Sequence, residues 1–185
     1  MIATIKAVGY KHTRGDILRA ALDAALDDGL SQLTFGRLAK RIGISDRIVV
    51  YYFPTKADLI GEVIVAMGVE LQARLADAFT TPAADHLDMT RTAWPLLASP
   101  ENDRVFALFF EANGLAAVGR EPYASLVPGL VAGWIDWAAE LMAGTPERRR
   151  AQAQGAIATI EGLILLRLLA GPKTADRAAK TLGVN

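Results

Sequence analysis

Residues 33–59, LTFGRLAKRIGISDRIVVYYFPTKADL, constrain this chain more than any other stretch. Thr34 stands where a side-chain oxygen can accept from an otherwise unpaired backbone N–H, opening a helix predicted over 35–41. Gly43 ends that helix, because the turn needs a left-handed residue and glycine supplies it without strain. Ser45 is placed to cap a second helix running to about residue 53, which Pro54 stops. Thr55 opens a third, with Asp58 at the spacing of a capping box. The inward positions are Leu38, Ala39, Ile42, Ile44, Val49 and Tyr52. Ala39, four residues before the turn glycine, is small where two helices cross closely. Together these features make a helix-turn-helix, whose second helix lies in the DNA major groove.

Helical hairpins arise often by chance, but the following Tyr51-Tyr52-Phe53-Pro54-Thr55-Lys56-Ala57-Asp58-Leu59 is far more specific. Its aromatic–aromatic–Phe–x–x–Lys–x–x–Leu run resembles the segment after the recognition helix in the tetracycline-repressor (TetR) family of bacterial transcription regulators. The resemblance covers about residues 13–60. It implies a DNA surface built from Arg14, Thr34, Arg37, Ser45, Asp46, Arg47, Val50, Tyr51 and Lys56. Ser45, Asp46 and Arg47 open the reading helix and point at base edges. There Arg47 could pair bidentately with guanine, and Asp46 could accept from cytosine N4. Tyr51, Tyr52 and Lys56 are phosphate or core candidates, with Tyr52 turned inward. The chain departs from the family at Val50, where a tyrosine is usual, and at Gly36, where a polar contact residue is frequent. Operator sequence therefore does not carry over.

Composition sets the outer limits. With 185 residues, 52% hydrophobic and 22% charged, the chain can bury a substantial core in one or two domains. Net charge is zero, but residues 1–60 hold nine Lys/Arg against six Asp, and the remainder is acidic by the same margin. A basic head on an acidic body suits a DNA reader carrying a second module, although such a split also arises by chance. The absence of cysteine excludes disulfides, thiolate metal sites and a Cys nucleophile. His12 and His86 are far apart, so no metal is expected, and no cofactor either. No signal peptide opens the chain. The most apolar run, 156–171, is interrupted by Glu161 and Arg167 and falls short of the ~20 residues of a membrane span. A soluble, cytoplasmic protein with no membrane partner is expected.

Taken in order, residues 1–12 carry Lys6, Lys11 and His12 with no clear period: either a DNA-contacting arm or a frayed terminus. A helix over about 14–28, capped by Thr13, puts Ile17, Leu18, Ala21, Leu22, Ala25 and Leu26 on one stripe. Arg14 in its first turn opposes the helix dipole, which a phosphate partner would explain. A long helix follows over about 55–79, slightly weakened by Gly61 and Gly68. Ser/Thr-Pro pairs at 81–82, 99–100 and 145–146 each mark a helix start, as does Pro122. These boundaries predict helices over 82–98, 100–118, 122–143, 146–170 and 174–182, with Pro95 and Pro128 kinking or breaking two of them. The expected fold is all-α: a three-helix head over 1–60 and a helical ligand-binding and dimerisation bundle over 61–185.

The 100–118 helix is apolar around most of its girth and must be central, with only Arg104 and Glu111 suited to water. Met67, Met89, Trp94, Phe106, Phe110, Trp134 and Trp137, with Asn113 as a polar fixer, either fill a core or line a pocket for a small lipophilic molecule. The resemblance favours the pocket, since such regulators are controlled by a ligand inside this body. The 146–170 helix opens with a solvated Arg148-Arg149-Arg150 and then turns apolar all round. Its small stripe Gly155, Ala158, Gly162 admits a close neighbour, and Ile157, Ile160, Ile164 and Leu168 are expected in a homodimer interface. The resemblance implies pairing through two late helices. Glu161 either meets a ligand or partner, or sits at a water-bridged rim.

The function expected is a dimeric, ligand-responsive DNA-binding regulator, a repressor released from its operator by the ligand. The alternative is a helical-bundle small-molecule-binding protein or an enzyme. An enzyme would need a convergent acid/base pair, nucleophile or metal cluster, and the sequence offers none.

Overall fold

The computed structural model describes residues 12–184, so the arm residues Lys6 and Lys11 lie outside them. The described residues form nine α-helices and no strand. The head comprises α1 (Arg14–Asp28), α2 (Phe35–Ile42) and α3 (Asp46–Tyr52). α4 (Lys56–Ala76) runs from the head into the body. There α5 (His86–Leu97), α6 (Asp103–Ala117), α7 (Tyr123–Glu140), α8 (Pro146–Ala170) and α9 (Pro172–Thr181) follow.

Local hydrogen bonding decides the head's boundaries. The Thr34 hydroxyl accepts from the Arg37 N–H, and Thr13 with Asp16 and Thr55 with Asp58 each complete a capping box. Gly43 adopts φ 72°, ψ 32°, the left-handed conformation that a side chain would strain. The Ile44 N–H then donates to the Ala39 carbonyl at 3.0 Å and turns the chain into α3. Ser45 occupies the N-cap of α3 but its side chain makes no capping bond, contrary to expectation.

Two helix starts in the body differ from those predicted. Thr81-Pro82 starts no helix. Instead Ala83 pairs with the end of α7, its N–H donating to Leu141 and its carbonyl accepting from Ala143, and Asp85 caps α5. Pro100 opens a 3₁₀ turn, Pro100–Asn102, ahead of α6. Pro95 and Pro128 lie within α5 and α7, which continue through them.

Leu38, Val49, Phe53, Leu59 and Ile60 are fully buried in the head, and the same apolar cluster continues through Met67 to Leu108, Ala112 and Val127 of the body. Head and body therefore share one core. A second cluster joins Leu71, Trp94, Phe106, Leu163 and Ile164. An added Cβ at Gly68 would meet the Trp134 indole nitrogen at 3.5 Å, an ordinary contact distance. Among the described residues α8 alone is long and apolar enough to cross a membrane. Here it packs on α5, α7 and α9. Its Arg167, buried, donates two hydrogen bonds to Asp103, at 2.7 and 3.2 Å.

Candidate DNA-reading surface and ligand cavity

α3 buries Val49 and turns its other sides outward. Ser45, Asp46, Arg47, Val50 and Tyr51 line one shallow, open depression of the head. Arg47 and Lys56 make no ion pair or hydrogen bond within the described chain, so both cations are available to phosphate or base. Arg37 donates to the Gln32 side chain, and Thr34 is occupied as the cap of α2. Arg14 pairs with Glu62, its guanidinium 4.9 Å from the Phe53 ring centre. That pair meets the demand for which a phosphate was expected. Exposed pairs of this kind are worth only ~0–1 kcal/mol, so a phosphate can exchange for the carboxylate. Tyr52 is half-buried, its hydroxyl donating to the His12 carbonyl at 3.3 Å.

Within the body, α4, α6 and α7 border a partly open cavity of about 310 Å³. A neighbouring space of about 80 Å³ extends toward α5 and α8. Trp134 and Trp137, packed edge to face with ring centres 5.4 Å apart, border both. Met67 and Asn113 line the larger cavity and Met89 the smaller. The Asn113 Oδ1 is buried without a hydrogen-bond partner among the described residues. Unsatisfied buried amides are costly, and a ligand donor would relieve this one.

Three expected lining residues do not line either space. Trp94 and Phe106 are buried in the second apolar cluster, and Phe110 packs against it. Phe109 takes their place, bordering both cavities. α6 is apolar nearly all round, so its pattern could not say which phenylalanine faces the space.

The α6 face expected to meet water also grips the head. The Glu111 carboxylate accepts from the backbone N–H groups of Leu30 and Ser31, both at 2.9 Å, and from the Ser31 hydroxyl. Arg104 donates to Asp27 of α1 at 2.6 Å, and Asp27 also accepts from Arg41 of α2 at 2.5 Å. These two guanidinium groups hold the Asp27 carboxyl below its usual range, with Arg41 the larger influence. The Tyr123 hydroxyl is buried without a partner, and burial, aided by the Glu111 charge, pushes it up to about 12.

Residues 17–63 match the family described as bacterial regulatory proteins, tetR family. That segment belongs to the TetR family. Solved structures carry the same fold over nearly its whole length. A transcriptional regulator from Rhodococcus sp. Rha1 is 21% identical, with a TM-score of 0.71, over 92% of this chain and 94% of that one. A TetR transcriptional regulator from Legionella pneumophila is 20% identical at a TM-score of 0.63, over 94% and 96%. The multidrug binding protein EbrR, complexed with proflavin, is 23% identical at 0.65, over 92% and 97%. Comparison with curated proteins finds no match. At these identities the structural likeness establishes the fold.

In the body the aliphatic stripe of α8 faces inward. Ile164 is 1% exposed in the chain's own core, Leu168 packs beside it, and Ile157 and Ile160 border the smaller cavity. The face left open carries Leu165, Leu166 and Leu169 beside exposed Ala158 and Gly162. Gly155 meets α5 instead, its added Cβ falling 3.3 Å from His86. Glu161, half-buried, also borders the smaller cavity, and burial raises its carboxyl above the ordinary glutamate value.

Proposed function

We propose that this TetR-family protein is a homodimeric regulator that grips operator DNA with two heads, and that a small lipophilic molecule in the body cavity releases it. The observation that carries this reading is the two-sidedness of α6. Phe109, Ala112 and Asn113 border the cavity, while Arg104 and Glu111 of the same helix hold α1 and the turn after it. α4 borders the cavity too and enters the head directly. A ligand that fits one spacing of α4, α6 and α7 better than another shifts the heads by its differential affinity for the two. EbrR, of the same fold, is a multidrug binding protein, which supports a ligand in such a body. A dimer joined through α7 and α8 buries the open leucines of α8.

The deciding experiment is a gel shift with DNA from upstream of the protein's own gene, repeated with compounds that raise its thermal stability. A sequence-specific shift that such a compound abolishes is the expected result. No specific shift at moderate salt would reject operator binding. Stabilising compounds that never weaken DNA binding would leave the cavity without a regulatory role.

Two further results are expected. Arg47→Ala costs ~1–3 kcal/mol of operator affinity and relaxes preference at one base position per half-site, whereas Lys56→Ala weakens all sequences alike and lowers the salt slope by about one. Unchanged operator affinity in Arg47→Ala would displace α3 as the reading helix. Glu111→Ala leaves ligand affinity near wild type but removes much of the ~1–3 kcal/mol by which bound ligand weakens DNA binding. Measuring operator affinity with and without ligand in both proteins checks this, and undiminished coupling sinks it.

A further inference from the structure

The larger cavity, unlike its neighbour, carries a polar patch on an otherwise apolar wall. Each of the three bordering helices contributes a polar side chain: Gln72 from α4, Asn113 from α6 and Trp134 from α7. None of the three side chains is hydrogen-bonded to another described residue. Trp134 sets its indole nitrogen beside Gly68, one turn before Gln72 on the same side of α4. Of the Asn113 amide, Oδ1 is the atom buried without a partner, which leaves the NH2 as the end that can reach the space. Amide NH2 and indole N–H groups are both donors, so three helices bring unused donors to one cavity.

Among the described residues no charged side chain borders this cavity. An anion would find the donors but leave its charge unpaired in a largely apolar site, at a cost those bonds do not offset. A cation would meet the positive ends of the N–H dipoles. A hydrocarbon that filled the space would take water from the donors and give no acceptor in return. A neutral oxygen acceptor avoids all three penalties.

We propose that the larger cavity selects a flat, neutral molecule carrying a carbonyl oxygen, with Gln72, Asn113 and Trp134 as its hydrogen-bond donors. The proposal rests on the ligand-cavity reading above and deepens it, since apolar area alone would admit hydrocarbons and ketones alike. A carbonyl oxygen has two lone pairs and can accept from two helices at once. Held by Gln72 and Asn113, it ties α4, which enters the head, to α6, which grips the head through Glu111. The apolar walls supply affinity, and the donors supply the choice of ligand.

The test compares three probes built on one ring system by equilibrium dialysis of the full-length protein: the ketone 9-fluorenone, the hydrocarbon fluorene and the anion 9-fluorenone-4-carboxylate. Wild type is expected to bind the ketone more tightly than either of the others. Asn113→Leu and Gln72→Met, each nearly isosteric, should each weaken fluorenone binding by about tenfold while fluorene binding holds or strengthens. Fluorene thus reports in each variant that the cavity is intact. Wild type that prefers fluorene or the anion overturns the selection and leaves the ligand cavity standing. So does an undiminished ketone preference in both variants, or an equal loss of ketone and hydrocarbon binding. Failure of all three probes to bind wild type overturns the cavity reading and the selection with it.

Discussion

Leu166→Glu combined with Leu169→Glu is expected to convert the protein into a folded monomer and to weaken operator binding by about a hundredfold or more. Leu169 is 79% exposed and Leu166 39%, so Leu169 adds little to the fold of its own chain and Leu166 only part of its side chain. Fully burying an exposed leucine contributes roughly 1.5–3 kcal/mol, less for the partly covered Leu166, and two-fold symmetry counts each one twice. Carboxylates there must either be desolvated or hold the subunits apart. A lone head contacts one half-site and loses the effective concentration that tethering gives the second. Ile164→Glu differs in kind: with 1% exposure it places a charge inside the chain's own core and should unfold the subunit. Sedimentation velocity, circular dichroism and a gel shift together separate these outcomes. A wild type that sediments as a folded monomer, or a double variant that remains dimeric with unchanged operator affinity, would remove α8 from the interface.

Where the sequence could be read, short-range hydrogen bonding decided the structure. Thr34, Gly43 and the Thr55–Asp58 pair act within four residues of themselves, and the head formed as their pattern required. Where long-range contacts decided, the pattern misled. Thr81-Pro82 has the signature of a helix start, yet Ala83 is bonded to the end of α7, some sixty residues on. Arg104 and Glu111 read as solvent-facing because periodicity identifies a polar face and not its neighbour. The partners, Asp27 and the backbone at residues 30–31, lie in another part of the chain. α6 and α8 are apolar nearly all round, so neither has a direction that its sequence could specify. Hence Phe109 was missed at the cavity, and the α8 residues expected at a partner, Ile157, Ile160, Ile164 and Leu168, pack toward the chain's own body. Glu161 stood out as the odd carboxylate in an apolar run, but only the fold brings it to the tryptophan pair.

Phe53 and Tyr51, two residues apart in the stretch that resembles the family, are expected to fail in opposite ways when changed to alanine. Phe53 is fully buried, its N–H donates to the Val49 carbonyl at 2.9 Å, and the Arg14 guanidinium covers its ring. It belongs to the cluster that runs from α1 through Ile60 and Met67 into the body. Removing a buried ring leaves a cavity that close-packed neighbours refill only partly, at a cost of ~3–5 kcal/mol. In a chain of this size that lowers the melting temperature by roughly 6–20 °C. Because the core is shared, the loss should appear as one transition moved downward as a whole, without an early melting of the head. Tyr51 is 79% exposed and touches little beyond the edge of Tyr52, 5.0 Å away between ring centres. Tyr51→Ala should leave the melting temperature within a degree or two, since exposed substitutions rarely exceed ~0.5 kcal/mol, and should weaken operator binding instead. Calorimetry at fixed protein concentration, paired with a gel shift on each variant, reads both effects. A separate low-temperature transition in Phe53→Ala would show that the head melts independently of the body. Full operator affinity in Tyr51→Ala would take that tyrosine off the DNA surface.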